Sequence, residues 1–442
     1  MGYLVFSDEW NRAFADQINQ NEAYRKAAAD WEWPLVLLLE PENTGVWLDL
    51  YRGKCRSARA ISAADWAVAD YAISTNLEMW QQILSGERDP IMALMRGKLN
   101  LRRGKLLKLA RYGAAAKQLV ASAAKVPTVF PGEATGNSIE ILSPKSVANQ
   151  NVKIYVTTSP AGLDQDSFPM KLYHKAKKLG IWNPQDIDFS EDIIQWQSFN
   201  PTEKEVLLHL SALFQAGEES VTRDLLPLMM VIAKEGRIEE EMFLTTFLWE
   251  EAKHTEFFRR FLDEVARDNS DLSRFHTQNY RNIFYDALPN AMDALLTDAS
   301  PGAQIRASVT YNMIVEGTLA ETGYHAYFQM LSDNNLLPGL REGIGYLKRD
   351  ESRHIAYGIY LLSRLVNAQP ALWQTLERQM EQLLAPALEI INELFAAYQP
   401  MPFGLKQDTF IDFAMNQFNH RMNRIEKARD TRIVDFNFDQ TD

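Results

Sequence analysis

Residues 250–258 read EEAKHTEFF, and on a helix Glu251 and His254 project from one face. Alone, a Glu-x-x-His pair is more often a solvated polar strip than half of a metal site. The rest of the chain decides between the two. RDESRH supplies Glu351-x-x-His354 at the same spacing. Each pair follows a helical pattern with an acidic residue inside an apolar run, Glu218 in LFQAGEESV and Glu316 in YNMIVEGTL. Glu218 lies 33 residues before Glu251, and Glu316 lies 35 before Glu351. That distance suits one helix, a turn and a return along its neighbour.

The resulting order is Glu, Glu-x-x-His, Glu, Glu-x-x-His. Two Glu-x-x-His helices plus one Glu from each of two others form the inward-facing ligand set of ferritin-like dimetal carboxylate bundles. Four carboxylates neutralise two divalent cations, whereas four unpaired glutamates in an interior would be very costly. Oxygen and imidazole donors without a thiolate suit Mn and Fe. Glu218, Glu251, His254, Glu316, Glu351 and His354 are therefore the expected ligands, with Glu251 as a bridge. Asp350 is the expected carboxylate partner that orients His254. Glu219 and Glu250 are expected to point away, and Glu321 and His325 to lie off the ligand face. His174, His209, His276 and His420 have no carboxylate at ligand spacing and read as structural or exposed.

The surrounding sequence favours helices. Stretches such as IEEEMFLTTFLWEEAKHTEFFRRFLDEVA and GIGYLKRDESRHIAYGIYLLSRLV are long, with broad apolar faces, as in a helical bundle. Upstream the texture differs. A polar helix over roughly 8–30 precedes LVLLLE and GVWLDLYRGKC, which read as a hairpin, followed by helical patterns from 63 to 95 and an Ala-rich helix near 114–124. This is an α+β unit with an antiparallel sheet. Between the two halves, residues 127–164 are rich in Pro, Gly, Ser, Thr and Asn and read as a linker and arm. The expected domains are thus 1–126, 127–164 and 165–442, within a length of 442 residues that is too great for one simple core.

Charge is unevenly spread. Residues 1–130 carry 17 Lys/Arg against 14 Asp/Glu, and the remainder 29 against 44. The acidic body argues against nucleic acid as a partner. A basic run, Arg96 to Arg111, reads as a solvated face, with contact to acidic lipid or a partner as the other candidate. One cysteine, Cys55, fits a reducing compartment. The opening MGYLVFSDEW has no basic n-region, and WPLVLLLEP is too short to cross a bilayer, so a cytoplasmic protein with at most peripheral membrane contact is expected.

From about residue 157 onward the chain resembles the ribonucleotide reductase small-subunit superfamily, more narrowly its ligand-binding oxidase branch. AGEESVTRDLLPL, YNMIVEGTLAETGY and FPMKLYHKAKKLGIWNP carry the resemblance. It implies a heterodinuclear Mn/Fe cofactor, with di-iron as the alternative, and a long-chain fatty acid bound at the metals. It also implies an ether cross-link between the Tyr311 phenol and the Val221 β-carbon, and an electron relay through Trp182 and Asp350. Reductase subunits that store a tyrosyl radical place it four residues after the first ligand histidine; here that residue is Phe258. The C-terminal RDTRIVDFNFDQTD also shows no tyrosine for docking a large subunit. The first 126 residues resemble a sterol carrier protein type two domain through GVWLDLYRGKC, the Trp66 to Trp80 segment and DPIMALMRGKLNLRRG. That implies a lipid-binding module with no catalytic residue of its own.

The expected protein is an O2-using oxidase, a homodimer acting by two-electron oxidation on a lipid or hydrocarbon. Two other readings are a small subunit of a Mn/Fe ribonucleotide reductase and a lipid-sensing protein with a non-catalytic metal centre.

Overall fold

A computed structural model of the chain describes residues 2–41, 44–62, 65–130, 155–160 and 162–430. The chain divides into two compact units, Met1–Ile154 and Tyr155–Asp442. Most of the expected linker and the last twelve residues of the C-terminal tail lie outside the described residues.

The first unit is built on a five-stranded sheet. Leu35–Leu39 pairs antiparallel with Thr44–Tyr51, which turns at Arg52-Gly53 and pairs with Lys54–Ala60. On its other edge Leu35–Leu39 pairs parallel with Tyr71–Thr75, so the sheet is mixed and not purely antiparallel. Asn100–Arg103 closes the far edge. The helical reading of 63–95 is corrected here, since Tyr71–Thr75 interrupts it. YAIST is buried at all five positions, and a strand covered on both faces shows no alternation that would separate it from a helix. The early helix also breaks. Asp8–Gln20 ends at Asn21, whose side chain caps a second helix, Glu22–Ala27, by accepting from the Tyr24 N–H. Trp10, Phe14 and Ile18 recur every four residues and bury one helical stripe against the sheet's core.

The second unit is helical. Its site-bearing elements are Pro201–Asp224, Ile238–Arg260, the continuous run Pro301–Ser308, Val309–Ala320 and Glu321–Asp333, and Pro338–Ala368. Asn200 and Glu203 form a reciprocal capping box that fixes where Pro201–Asp224 begins. Pro338–Ala368 has no cap of its own. Instead, Asp192 from the helix Ser190–Ser198 accepts from the Gly339 N–H at 2.9 Å and the Leu340 N–H at 2.8 Å. A Cβ at Gly339 would lie 2.5 Å from the Asp188 carbonyl, so only glycine allows that close approach. Asp192 is fully buried.

Asp192→Ala should therefore destabilise the second unit by about 1–3 kcal/mol, seen as a lower thermal midpoint. Asp192→Asn, which keeps an acceptor, should lose less.

Candidate metal centre

Six side chains from four helical segments meet in the interior of the second unit. Glu218 continues the apolar stripe Val206, Leu210 and Phe214 on Pro201–Asp224, one helical step further along. Glu251 and His254 come from Ile238–Arg260, and Glu351 and His354 from Pro338–Ala368. Glu316 lies in Val309–Ala320, which is π-helical. Its i→i+5 hydrogen bonding widens the turn and brings Tyr311 toward the face of Glu316, five residues on. An α-helical reading of the sequence would have turned them apart.

The six form two overlapping groups: Glu218, Glu251, His254 and Glu351, then Glu251, Glu316, Glu351 and His354. Within each group the donor atoms all lie within 4.8 Å of one another. Glu251 and Glu351 belong to both groups, the position of bridging carboxylates. His254 Nδ1 lies 3.3–3.5 Å from oxygens of Glu351, Glu251 and Glu218. His354 Nδ1 lies 2.9 Å from Glu251 Oε1 and 3.6 Å from Glu351 Oε2. All six are buried.

The outward imidazole nitrogens fix the tautomers. His354 Nε2 is 2.9 Å from Glu250 Oε2, and His254 Nε2 is 3.4 Å from Asp350 Oδ2. Each outward nitrogen, facing a carboxylate, carries a proton, so in the neutral imidazole Nδ1 is the lone pair aimed at the glutamates. Both Nδ1 atoms, both Glu251 oxygens, Glu316 Oε1 and Glu351 Oε2 have no hydrogen-bond partner. In that form lone pairs confront lone pairs in a buried site, and a cation fits between them.

Charge bookkeeping gives the same answer. Arg353 Nη2 bridges Asp350 Oδ1 at 2.5 Å and Glu250 Oε1 at 2.6 Å, and Lys253 Nζ lies 3.3 Å from Asp350 Oδ2. These two cations balance the two outer carboxylates. The four inward glutamates are left uncompensated, with the charge of two divalent ions. The expectation that Glu250 points away is corrected: it is fully buried and holds His354 as Asp350 holds His254. One residue before Glu251 it would leave the inner face, and what the sequence hid is that the outer face meets Arg353 of the neighbouring helix. Glu219, by contrast, is solvent-facing beside Arg223.

Two further hydrogen-bond partners were not legible in the sequence. The Tyr324 hydroxyl donates to Glu218 Oε1 at 2.5 Å, and Asn312 Nδ2 donates to Glu316 Oε2 at 3.0 Å. Phe247 stacks on the His354 ring at 3.7 Å. Trp182 donates to Asp350 Oδ2 at 2.7 Å and stacks between His254 and Tyr346. Glu321 pairs with Arg421, His325 stacks on Phe413, and His209 and His276 contact tyrosine hydroxyls. His174 contacts Gln165. Phe258 is buried and stacks on Phe214 at 5.0 Å.

Tyr311 and Val221 meet at the edge of the site. The Tyr311 hydroxyl donates to the Val221 carbonyl at 2.9 Å, across 90 residues of sequence. Burial, reinforced by the glutamate charges, pushes the phenol well above its usual range. Val221 also borders an almost wholly apolar cavity that runs from Glu218, Glu316 and Glu351 toward Ile391, Leu394 and Phe410.

A helical bundle with this ligand set defines a dimetal carboxylate protein. The ribonucleotide reductase small-chain family model matches residues 165–428, and the chain belongs to that family. The SCP-2 sterol transfer family model matches residues 12–104. Among solved structures, three variants of an R2-like ligand-binding oxidase are similar. A valine-to-leucine variant with anaerobically reconstituted Mn/Fe cofactor is 43% identical, covering 60% of this chain and 96% of that one, with a TM-score of 0.58. A tyrosine-to-phenylalanine variant with aerobically reconstituted Mn/Fe cofactor is 42% identical, covering 62% and 98%, with a TM-score of 0.58. A glycine-to-leucine variant with anaerobically reconstituted Mn/Fe cofactor is 42% identical over the same shares, with a TM-score of 0.59. In those proteins the substituted tyrosine stands 90 positions after the valine and the glycine four before it; Tyr311, Val221 and Gly217 stand at the same intervals here.

Two outcomes follow. Glu250→Ala should lower metal affinity about 10–100-fold while all six inner residues remain, measured by calorimetric titration of the metal-free protein. Burial raises the Glu218 carboxyl and, with the Glu351 charge, holds Glu316 well above the usual range. Without metal these carboxyls keep their protons to higher pH than an exposed glutamate does, so metal uptake should release protons and weaken as pH falls. Calorimetry in buffers of different ionisation enthalpy measures that release.

Proposed function

We propose that this chain is an O2-using heterodinuclear Mn/Fe oxidase, and that Tyr311 and Val221 become joined by an ether cross-link. Glu218, Glu251, His254 and Glu351 would hold one ion, and Glu251, Glu316, Glu351 and His354 the other. The two ions, when bound, supply the electrons that reduce O2. The polypeptide supplies position. The single observation that carries the reading is the Tyr311 hydroxyl resting on Val221 beside the glutamate cluster, with Phe258 where a stored tyrosyl radical would otherwise lie.

In the cross-link the Tyr311 O–H and the Val221 Cβ–H bonds break and one O–C bond forms. Two protons and two electrons leave, with O2 as their acceptor. The raised pKa of Tyr311 keeps its hydroxyl protonated at neutral pH, and the hydrogen bond to the Val221 carbonyl holds its oxygen beside that residue. The apolar cavity would take a long-chain fatty acid, its carboxylate at the Glu218, Glu316 and Glu351 end and its tail against Ile391, Leu394 and Phe410. The same cavity offers a lipid or hydrocarbon substrate to a two-electron oxidation. The first unit would act as a lipid-binding module, through an apolar cavity bordered by Phe14, Trp31, Leu37 and Ile83. We take the working form to be a homodimer in the cytoplasm.

The hydrogen-bonded line from Trp182 through Asp350 to His254 favours a second reading, the small subunit of a Mn/Fe ribonucleotide reductase. The third, a lipid sensor with a non-catalytic metal centre, would need no O2 consumption.

Protein assembled with Mn, Fe and O2 should yield a joined Val221/Tyr311 peptide lighter by two hydrogens, and Tyr311→Phe should yield only linear peptides. Linear peptides from the unaltered chain would remove the cross-link. Nucleotide reduction with an added reductase large subunit would favour the second reading. O2 uptake unaffected by Glu251→Ala and His354→Ala would favour the third.

A further inference from the structure

The first unit contains a stretch of one-signed charge that the metal centre does not use. Between Asp89 and Glu133 there is no acidic residue, while Arg96, Lys98, Arg102, Arg103, Lys105, Lys108, Arg111, Lys117 and Lys125 all fall there. Seven of these, Lys98, Arg102, Arg103, Lys105, Lys108, Arg111 and Lys125, are exposed, and all but Lys125 fall within residues 98–111. Asn100–Arg103 is the edge strand of the sheet, so its charges stand at a rim and not on a covered face.

This run has a position that a merely solubilising face would not require. The apolar cavity of the first unit is lined from both sides of it, by Pro90, Ile91 and Leu94 of the helix Pro90–Met95 and by Ala116, Leu119 and Val120 of the helix Gly113–Ala123. Pro90, Ala116 and Val120 are the half-exposed members on those helices, which marks the opening between them. The basic segment is the connection between these two lips, and its Leu99 and Leu109 turn inward to form part of the cavity wall.

Aromatic residues sit in the same place. Lys108 Nζ lies 3.6 Å above the Trp33 ring, and Trp33 packs edge-on against Tyr112 at 5.5 Å. Both rings are half-buried, with part of each open to solvent. Gly104, at φ +104°, carries the chain over Tyr71 so closely that a Cβ would fall 2.2 Å from that ring. The basic turn is thereby seated on the cluster Trp31, Trp33, Tyr71 and Tyr112. Cations and half-exposed Trp and Tyr rings around an apolar opening match the layers of a bilayer surface: anionic headgroups, interface, then acyl chains. A nucleic acid would meet the charge, but the cavity wall would offer it nothing.

We infer that residues 98–112, with Trp33, form a docking surface for anionic bilayers that sets the mouth of the first unit's apolar cavity against the lipid. The inference is independent of the metal centre.

The full-length chain should co-float with phosphatidylcholine vesicles containing about one-third phosphatidylglycerol and not with phosphatidylcholine alone, with binding that weakens as salt rises. Each lysine near an anionic surface contributes about 1 kcal/mol, so K98Q/K105Q/K108Q should weaken partitioning roughly a hundredfold. K175Q/K177Q/K178Q, which removes equal charge from the second unit, should leave it unchanged. Circular dichroism confirms that both variants are folded. Equal binding to neutral vesicles, equal loss in the two triple variants, no flotation with either vesicle, or tighter binding to single-stranded RNA would each overturn the inference.

Discussion

Four glutamates converge in an interior where, among the described residues, no lysine or arginine neutralises them, and the second unit is organised around that fact. Glu218, Glu251, Glu316 and Glu351 are buried, each from a different helical segment. Isolated carboxylates in such a place would protonate or force the helices apart. The polypeptide spends its own cations elsewhere, on Asp350 and Glu250, and directs both imidazole lone pairs inward. Four such charges match those of two divalent ions, and an ion bound among them would link metal binding to helix packing.

That requirement explains features which would be odd in a purely structural bundle. Pro338–Ala368 carries two inward residues, yet its first turn is capped from Asp192, far away in sequence, so the register of Glu351 and His354 is tied to a neighbouring helix. The π-helical turn at Val309–Ala320 gives up regular geometry where Tyr311 and Glu316 must both face the site. Arg353 bridges the two outer carboxylates and so couples the orientations of the two histidines. Each device restricts a donor atom to one direction, which a shared pair of ions demands.

The two units solve opposite electrostatic problems. The helical unit concentrates negative charge inward. The sheet unit has an apolar cavity and keeps its positive charge at the rim, on the segment joining the helices that border the opening. Apolar cavities occur in both, one ending on the glutamates and one ending on aromatic and aliphatic side chains alone.

The sequence by itself determined which residues would form the inner site, because Glu-x-x-His places two side chains on one helical face whatever surrounds it, and the pattern is repeated at a helix-and-return spacing. It also determined that Phe258 cannot hold a phenoxyl radical, which is a matter of composition. The tertiary structure decided what depends on neighbours distant in sequence. Glu250 reads as outward until Arg353 and His354 are found opposite it. Tyr71–Thr75 reads as helix until the strands on either side of it are in place, because a strand apolar on both faces has no period of its own. The meeting of Tyr311 with Val221 rests on a π-turn, whose hydrogen-bond shift leaves no mark in apolar spacing. Local periodicity fixes the direction of a side chain relative to its own helix; only packing fixes what it meets there.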